Sequence, residues 1–330
     1  NTYPAAVMPD FKSLRYLTAP NMVVSDDKNH SPGIQNNGPF LMMNPFSSRC
    51  CQHNHAQGWP YYAENMWMAT PDNGLAAVLY NGSKVTAKAG ENGQEVSIEE
   101  LTNYPFEESV RLIVHTKKAT KFPLYLRIPE WCTNAVIKVN GKKMATKLSP
   151  LMYSQIINNW KDDDEVTLEL PMNIAVHEWK ANKNSVSINY GPLTFSLKIK
   201  ERFEQEDSRK TAIGDSQWQP GADPSKWPAY NIYAAGAWNY GLVIPEGTKA
   251  WKVVHRPFPK DSFPFTPQGV PLEITGVQVK QIPGLTIDQY GLCGVLPQSP
   301  VQTTSSTEDI ALIPMGATRL RISAFPTVTN

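Results

Sequence analysis

The residues best suited to chemistry are two adjacent cysteines, Cys50 and Cys51. Neighbouring Cα atoms lie about 3.8 Å apart, whereas a relaxed disulfide needs roughly 4.4 to 6.8 Å, so the pair is a poor disulfide. Two thiolates bound to one tetrahedral zinc ion at about 2.3 Å lie somewhat under about 4 Å apart, which adjacent cysteines reach if the backbone turns. The pair therefore predicts either a zinc-bound or reactive thiol, or two thiols buried in a core. Its spacing alone favours burial.

Four side chains that could bind a substrate follow the pair closely: His53, Asn54, His55 and Trp59. The histidines and cysteines lie closer together in sequence than the ligands of common zinc sites, so a local four-ligand site is disfavoured. We instead predict these four as substrate-binding residues, with one histidine lining a sugar subsite and a hydrogen-bonded structural histidine as the alternative. Trp59 could stack on a sugar ring, although an aromatic residue at helical spacing more often packs in a core.

Length and charge exclude several classes of protein. The 330 residues suggest about two domains. The 31 basic and 30 acidic residues leave a formal net charge of +1, which gives no electrostatic reason to expect nucleic acid as a partner. No apolar run approaches the roughly 18 residues that span a bilayer, so we expect no membrane span. The 28 prolines favour short strands and long ordered loops over a helical bundle.

The elements around the cysteines change from helical to extended. Residues 50–68 have the apolar periodicity of a helix, and residues 10–17 have weaker helical potential. The turn at residues 70–74 closes the first of these segments. From residue 75 the period changes to two, which predicts an antiparallel sandwich with a type I′ hairpin turn at Asn140 and Gly141. Its candidate strands are residues 75–80, 84–89, 95–101, 110–116, 123–128, 135–140, 153–158 and 166–170.

A second β region begins near Ile174. Residues 186–197 predict two strands that break at Gly191 and Pro192. Residues 201–235 are polar and then rich in tryptophan and proline, which predicts a long ordered excursion. Further strands are expected at residues 242–244, 251–254, 272–279 and 319–324.

The remaining cysteines and histidines carry little sign of chemistry. Cys132 and Cys293 are isolated in sequence, so we expect buried thiols and no disulfide framework. His115, His177 and His255 lie in strand patterns without metal-like neighbours, and we predict structural roles for all three.

Several segments together resemble one family, glycoside hydrolase family 127, the β-L-arabinofuranosidase group and its relatives. The resemblance covers most of the chain. The segments are residues 49–54 (RCCQHN), 58–61 (GWPY), 69–75 (ATPDNGL), 122–131 (FPLYLRIPEW), 190–193 (YGPL) and 312–322 (LIPMGATRLRI).

The resemblance implies a mainly β chain, in which two β-sandwich domains follow the C-terminal remnant of an (α/α)6 barrel. We expect the barrel remnant at residues 1–72, a first sandwich at 73–173 and a second sandwich at 174–330 that contains the long excursion. The chain has no initiator Met and most of the barrel would be missing, so we expect a C-terminal fragment that is inactive alone. Its expected partners are an oligo- or polysaccharide substrate and the missing N-terminal barrel of the same protein.

The resemblance also implies a catalytic role for the paired cysteines. Cys50 would be the nucleophile, and Cys50 and Cys51 would both ligate zinc. In the family, the other zinc ligands come from an upstream Glu-x-Cys motif, and an upstream glutamate serves as acid/base. Here no cysteine precedes Cys50, and the first glutamate is Glu64. Glu130 and Cys132 have the Glu-x-Cys spacing but lie in the predicted sandwich, so we predict a structural role.

Two further interpretations stay open. Gln52 and His53 replace the family's more usual Pro-Pro, so this branch of the family could have lost the zinc site.

The implied function is retaining hydrolysis of arabinofuranoside-containing glycans, with a cysteine sulfur in place of the usual second carboxylate. That substrate class implies export to the periplasm or surface of a bacterium. The rival is a non-catalytic carbohydrate-binding or structural β-sandwich module with inert cysteines.

Overall fold

The computed structural model describes residues 2–15, 18–28, 42–43, 50–211, 220–245 and 250–329. Strands predominate over helices in this part of the chain, so the predicted mainly β fold class is confirmed. No helix among these residues is long and apolar enough to cross a membrane. The chain divides into two compact units, one of Gln57–Asn173 and one of Asn1–Ala56 with Ile174–Asn330. The three-part division predicted at residues 72 and 173 remains a prediction.

Short elements precede the first long run of strands. They are helix α1 (Thr2–Ala5), strands β1 (Leu14–Arg15), β2 (Asn21–Met22), β3 (Val24–Ser25) and β4 (Met42–Met43), and helix α2 (Cys50–Glu64). Helix α2 confirms the helical pattern predicted from residue 50 as far as Glu64, and it continues through Pro60, whereas residues 67 and 68 lie in a strand. The helical prediction for residues 10–17 is wrong, because this segment contains β1, which pairs with β4. Pairing with a distant strand overrides a weak local preference.

Ten strands build the unit Gln57–Asn173. They are β5 (Trp67–Ala69), β6 (Leu75–Ala77), β7 (Ser83–Ala89), β8 (Gln94–Leu101), β9 (Ser109–Thr116), β10 (Thr120–Arg127), β11 (Val136–Val139), β12 (Lys142–Lys143), β13 (Tyr153–Trp160) and β14 (Asp164–Glu169). One sheet has the order β13-β10-β6-β5 and the other β12-β11-β14-β9-β8-β7. All eight strands predicted for this region are confirmed within a few residues. We call this unit the first sandwich.

Strand residues at every second position build the core of the first sandwich. Alternate residues of β8, β9 and β10 are buried, and they contribute to one continuous apolar cluster. Trp160 is fully buried in this cluster, with its ring centroid 5.9 Å from that of Phe122. Its Nε1–H donates a hydrogen bond of 2.9 Å to the Phe122 carbonyl oxygen, so the polar edge of the indole is satisfied inside the core.

Two turns in this unit have the predicted chemistry. Asn140 and Gly141 both have positive φ, 49° and 75°, as a type I′ turn between β11 and β12 requires. In the turn before β6, the Gly74 N–H donates to Thr70 Oγ1 at 3.0 Å. The same turn brings Asp72 to the surface beside β10.

The described residues from Ile174 onward form eleven strands. They are β15 (Ile174–Trp179), β16 (Ser185–Tyr190), β17 (Leu193–Leu197), β18 (Glu201–Glu206), β19 (Ala229–Ala234), β20 (Tyr240–Val243), β21 (Lys252–His255), β22 (Leu272–Gln281), β23 (Thr307–Pro314), β24 (Arg321–Ile322) and β25 (Thr327–Val328). The largest sheet has the order β15-β16-β17-β23-β22-β20-β25, with β21 paired to β22. The break predicted at Gly191 and Pro192 separates β16 from β17.

The sequence prediction misses several strands of this region, among them β18, β19, β23 and β25. The excursion predicted for residues 201–235 contains β18 and β19, which pair along their whole length. Most side chains of β18 are exposed, so no apolar alternation marks it as a strand. Strand β23 begins with exposed polar residues and becomes buried only near its end, which conceals it in the same way.

The N-terminal segments are part of the same compact unit as β15–β25. Strands β3 and β4 both pair with β19, and β1 pairs with β4. Strand β2 pairs with β24, about 300 residues away in sequence. The two ends of this unit are therefore joined by backbone hydrogen bonds.

Candidate functional site

Helix α2 begins at Cys50, and Cys51 lies in its first turn. The first N–H groups of a helix have no partner within the helix, and they favour a negative charge such as a thiolate nearby. The side chains of Cys50 and Cys51 lie outside the described part of the structure, as do those of His53 and His55. The nucleophile, ligand and substrate-binding roles of these four residues therefore stay predictions.

Most of the described side chains of α2 are exposed to solvent. Asn54 is exposed, and 47% of the Trp59 surface is accessible. The Trp59 ring meets the ring of Tyr62 edge to face, with 6.0 Å between centroids. Trp59 therefore packs on the surface of the helix, not in a core.

Cys50 and Cys51 supply only part of the ligand set that zinc needs. Two thiolates at a helix start suit zinc, but a closed zinc site needs about four ligands. Cys132 does not supply a third ligand of the Glu-x-Cys type. Its side chain is 1% exposed, and its Sγ lies 3.9 Å from the Pro171 carbonyl oxygen, so the predicted structural role holds.

One group of potential metal ligands does form among the described residues, at His115, Asp162 and Asp163. The His115 Nδ1 lies 3.6 Å from an Asp162 carboxylate oxygen and 3.4 Å from one of Asp163, and its Nε2 lies 3.7 Å from Glu99. The expectation that His115 has no metal-like neighbours is wrong. The turn after β13 returns beside the end of β9, where the Asp163 N–H donates to the Val114 carbonyl oxygen at 2.8 Å.

The other two strand histidines have aromatic neighbours. The His177 and Trp179 rings lie 4.3 Å apart at 66°, and the His255 and Tyr190 rings lie 6.2 Å apart at 72°. These contacts are consistent with the structural roles predicted for both histidines.

Burial keeps the two isolated cysteines in the thiol form. It raises the pKa of Cys132, and it raises the pKa of Cys293 to about 12. A thiol is a poor nucleophile, so neither cysteine is suited to attack at neutral pH. Among the four cysteines, Cys50 and Cys51 stay the candidates for thiolate chemistry.

Two polar clusters in the first sandwich were not predicted from the sequence. In the first, Glu100 is 1% exposed and burial raises its pKa to about 7. The alternation of β8 indicates this position, because Val96, Ile98 and Glu100 all point inward.

The second cluster lies on the outer face of the four-stranded sheet. The Tyr125 hydroxyl donates to Asp72 at 2.6 Å, and Gln155 Nε2 donates to the Tyr125 oxygen at 2.6 Å. Hydrogen bonds from Thr70 and Tyr125 lower the pKa of Asp72, which keeps this exposed carboxylate ionised. No sequence pattern predicts this cluster, because its members are up to 83 residues apart.

The comparisons with known proteins identify the first sandwich. Residues 74–172 match the family model described as the middle domain of GH127 β-L-arabinofuranosidase. A solved glycoside hydrolase is similar with a TM-score of 0.64 and 20% identity, over 100% of this chain and 47% of that protein. A GH127 β-L-arabinofuranosidase from Geobacillus stearothermophilus has a TM-score of 0.61 and 22% identity, over 99% and 44%. A GH127 β-arabinofuranosidase has a TM-score of 0.62 and 17% identity, over 98% and 43%.

Residues 74–172 are therefore similar to the GH127 middle domain, and the chain shares the fold of these solved proteins. The chain spans less than half the length of the solved proteins to which it is similar. No curated protein matches it in sequence.

Proposed function

We propose that this chain is the C-terminal portion of a retaining glycoside hydrolase that acts on arabinofuranoside-containing glycans. The observation that carries the proposal is the GH127 middle domain at residues 74–172, directly after a helix that begins with two cysteines. In this proposal Cys50 is the nucleophile, and the chain is inactive without the upstream barrel.

The proposed reaction is a double displacement on sulfur. The Cys50 thiolate attacks the anomeric carbon, the bond to the leaving oxygen breaks, and an acid/base carboxylate outside this chain protonates that oxygen. Water then attacks the same carbon, its proton passes to the carboxylate, and the thiolate leaves. The start of α2 supports the thiolate, because its free N–H groups stabilise a negative charge.

Zinc is the proposed cofactor, with Cys50 and Cys51 as two of its ligands and the others upstream of this chain. When bound, zinc would keep both sulfurs deprotonated. His53, Asn54, His55 and Trp59 are the proposed substrate-binding residues. The exposed Trp59 ring supports this assignment, because a sugar ring can stack only on an accessible aromatic face.

The proposed partner is the N-terminal barrel of the same protein. Its proposed contact surface is α2, where Gln57–Glu64 are exposed except for the half-buried Tyr62. An exposed aromatic helix in a stable protein commonly marks a surface that another body covers. Export to the periplasm or cell surface is proposed from the substrate class alone.

The test is hydrolysis of an aryl β-L-arabinofuranoside by the full-length gene product, compared as wild type, Cys50→Ser and Cys293→Ser. We expect Cys50→Ser to lower kcat by about a thousandfold or more, because it removes the nucleophile. Cys293→Ser, which removes a thiol with no proposed catalytic role, should retain kcat within about threefold. Full activity of Cys50→Ser would exclude the proposed nucleophile.

A second candidate function is glycan binding without catalysis, favoured by the cluster of Asp72, Tyr125 and Gln155. An ionised carboxylate, an amide and a phenol held together on an open sheet face can exchange hydrogen bonds with sugar hydroxyls. Calorimetric titration of this chain with arabino-oligosaccharides tests it. Binding that is lost in Tyr125→Ala and retained in Cys50→Ser favours this function, and absence of binding removes it.

A further inference from the structure

Glu100 occupies a core position of the first sandwich. Inward-facing residues of β8 alternate, and the third of them is this carboxyl group instead of a hydrocarbon. Burying a carboxylate is costly unless hydrogen bonds or an opposite charge compensate it. Both groups that donate to Glu100, a backbone N–H and a serine hydroxyl, are neutral.

A chain of hydrogen bonds connects Glu100 to the strand that follows α2. The Trp67 Nε1–H of β5 donates to Ser83 Oγ at 3.0 Å, and the Ser83 hydroxyl donates to Glu100 Oε2 at 2.9 Å. The Asn81 N–H donates to Glu100 Oε1 at 3.0 Å. Glu100 thereby joins β5, the start of β7 and the end of β8.

Hydrogen bonds and packing also attach the link between α2 and β5 to the first sandwich. The Met66 carbonyl oxygen accepts the N–H groups of Val78 and Leu79, at 2.9 and 3.3 Å. Met66 itself is buried, and Trp67 packs against the core of the first sandwich. We call residues 62–67 the α2–β5 junction.

Three titratable groups face Glu100 from the neighbouring elements. Tyr62 lies on α2, Tyr80 follows β6, and Arg127 ends β10. Burial raises the pKa of both tyrosines, Glu100 raises it further and Arg127 lowers it, so all four groups share one electrostatic environment. Arg127 is engaged elsewhere, because its Nε donates to the Val78 carbonyl oxygen at 2.6 Å.

We propose that Glu100 is a pH-responsive latch, which holds the α2–β5 junction closed while its carboxyl group is protonated and releases it on ionisation. The neutral group loses no contact, since its hydroxyl can donate to Ser83 Oγ while the other oxygen still accepts from Asn81. The ionised group keeps a charge buried among aromatic rings, and opening of the junction lets water reach it.

The direction of the pH effect follows from the pKa of Glu100. Burial raises it from 4.5 to about 7 in the closed junction, whereas an open junction exposes Glu100 to water. The closed form is therefore fully favoured below pH 4.5 and loses that advantage as pH rises through 7. The open population should increase about tenfold per pH unit in this interval, roughly three-hundredfold in all, and level off above it.

Hydrogen exchange of residues 60–68 tests the latch, compared between this chain and Glu100→Gln at matched pH from 5 to 8. The ratio of wild-type to variant rates cancels the intrinsic pH dependence of exchange. We expect this ratio to rise about tenfold per pH unit up to pH 7, because glutamine cannot ionise. Glu95→Gln, an exposed glutamate on the same strand, should follow the wild type at every pH.

A wild-type to Glu100→Gln ratio that stays constant from pH 5 to 8 overturns the proposal. If Glu100→Gln does not fold, carbon-13 NMR of the glutamate carboxyl groups in the wild type decides. One glutamate that titrates near pH 7 supports the latch, and titration of all glutamates below pH 5.5 overturns it. Both measurements concern only the junction, so they are independent of the proposed glycosidase activity.

Discussion

At the scale of single residues, the four cysteines divide into two kinds by their surroundings. Cys132 and Cys293 are held as thiols by burial, whereas Cys50 and Cys51 lie at a helix start that favours thiolates. The sequence predicted this division from the adjacent pair and the two isolated cysteines. It did not predict the surroundings of His115 or Glu100, because their neighbours come from other strands.

The alkylation rate of Cys293 should keep rising with pH beyond the range in which an ordinary thiol becomes fully ionised. With a pKa of about 12, its thiolate fraction rises about tenfold per pH unit from pH 7 to 10. The labelling rate, followed by mass spectrometry of the Cys293 peptide, should rise in the same way. A rate that levels off near pH 9 would show an ordinary, accessible thiol and contradict the burial.

At the scale of elements, apolar alternation was sufficient to find most strands of the first sandwich. It failed for β18 and β23, whose exposed residues give no such pattern. It also failed for β1 to β4, which are two residues long and exist because distant strands pair with them. Strands defined by tertiary pairing have no local sequence signal.

The turn before β6 depends on a glycine at position 74. A Cβ atom there would lie 2.2 Å from the Pro123 carbonyl oxygen and 2.8 Å from Thr70 Oγ1. We expect Gly74→Ala to lower the free energy of unfolding by about 2 to 4 kcal/mol, because β6 must move away from β10. Gly82→Ala, with no atom within 4 Å of its Cβ, should change it by less than about 0.5 kcal/mol. Equal urea midpoints for the two variants would contradict the close packing.

At the scale of the whole molecule, the unit of the N-terminal and C-terminal segments is held together over about 300 residues of sequence. Asn21 Oδ1 accepts the N–H groups of Ser323 and Ala324, both at 2.9 Å, and its Nδ2 donates to the Ala324 carbonyl oxygen at 2.7 Å. No sequence pattern predicts this contact, because its partners lie about 300 residues away in sequence.

Asn21→Ala should destabilise this unit by about 2 to 3 kcal/mol, because it leaves two backbone N–H groups and one carbonyl without these partners. Urea unfolding followed by tryptophan fluorescence measures the change. Asn92→Ala, at an exposed turn between β7 and β8, serves as the control and should shift stability by less than about 0.5 kcal/mol. Indistinguishable curves for the two variants would refute the role of Asn21.

The proposed chemistry depends on ionised sulfurs at the start of α2, and differential alkylation measures them directly. The Cys50–Cys51 peptide is compared with those of Cys132 and Cys293 in one sample of the full-length gene product at pH 7, with and without a zinc chelator. The account predicts labelling at least about tenfold faster at the pair, at a rate that changes when the chelator is added. Labelling as slow as that of Cys132, and indifferent to the chelator, would contradict it.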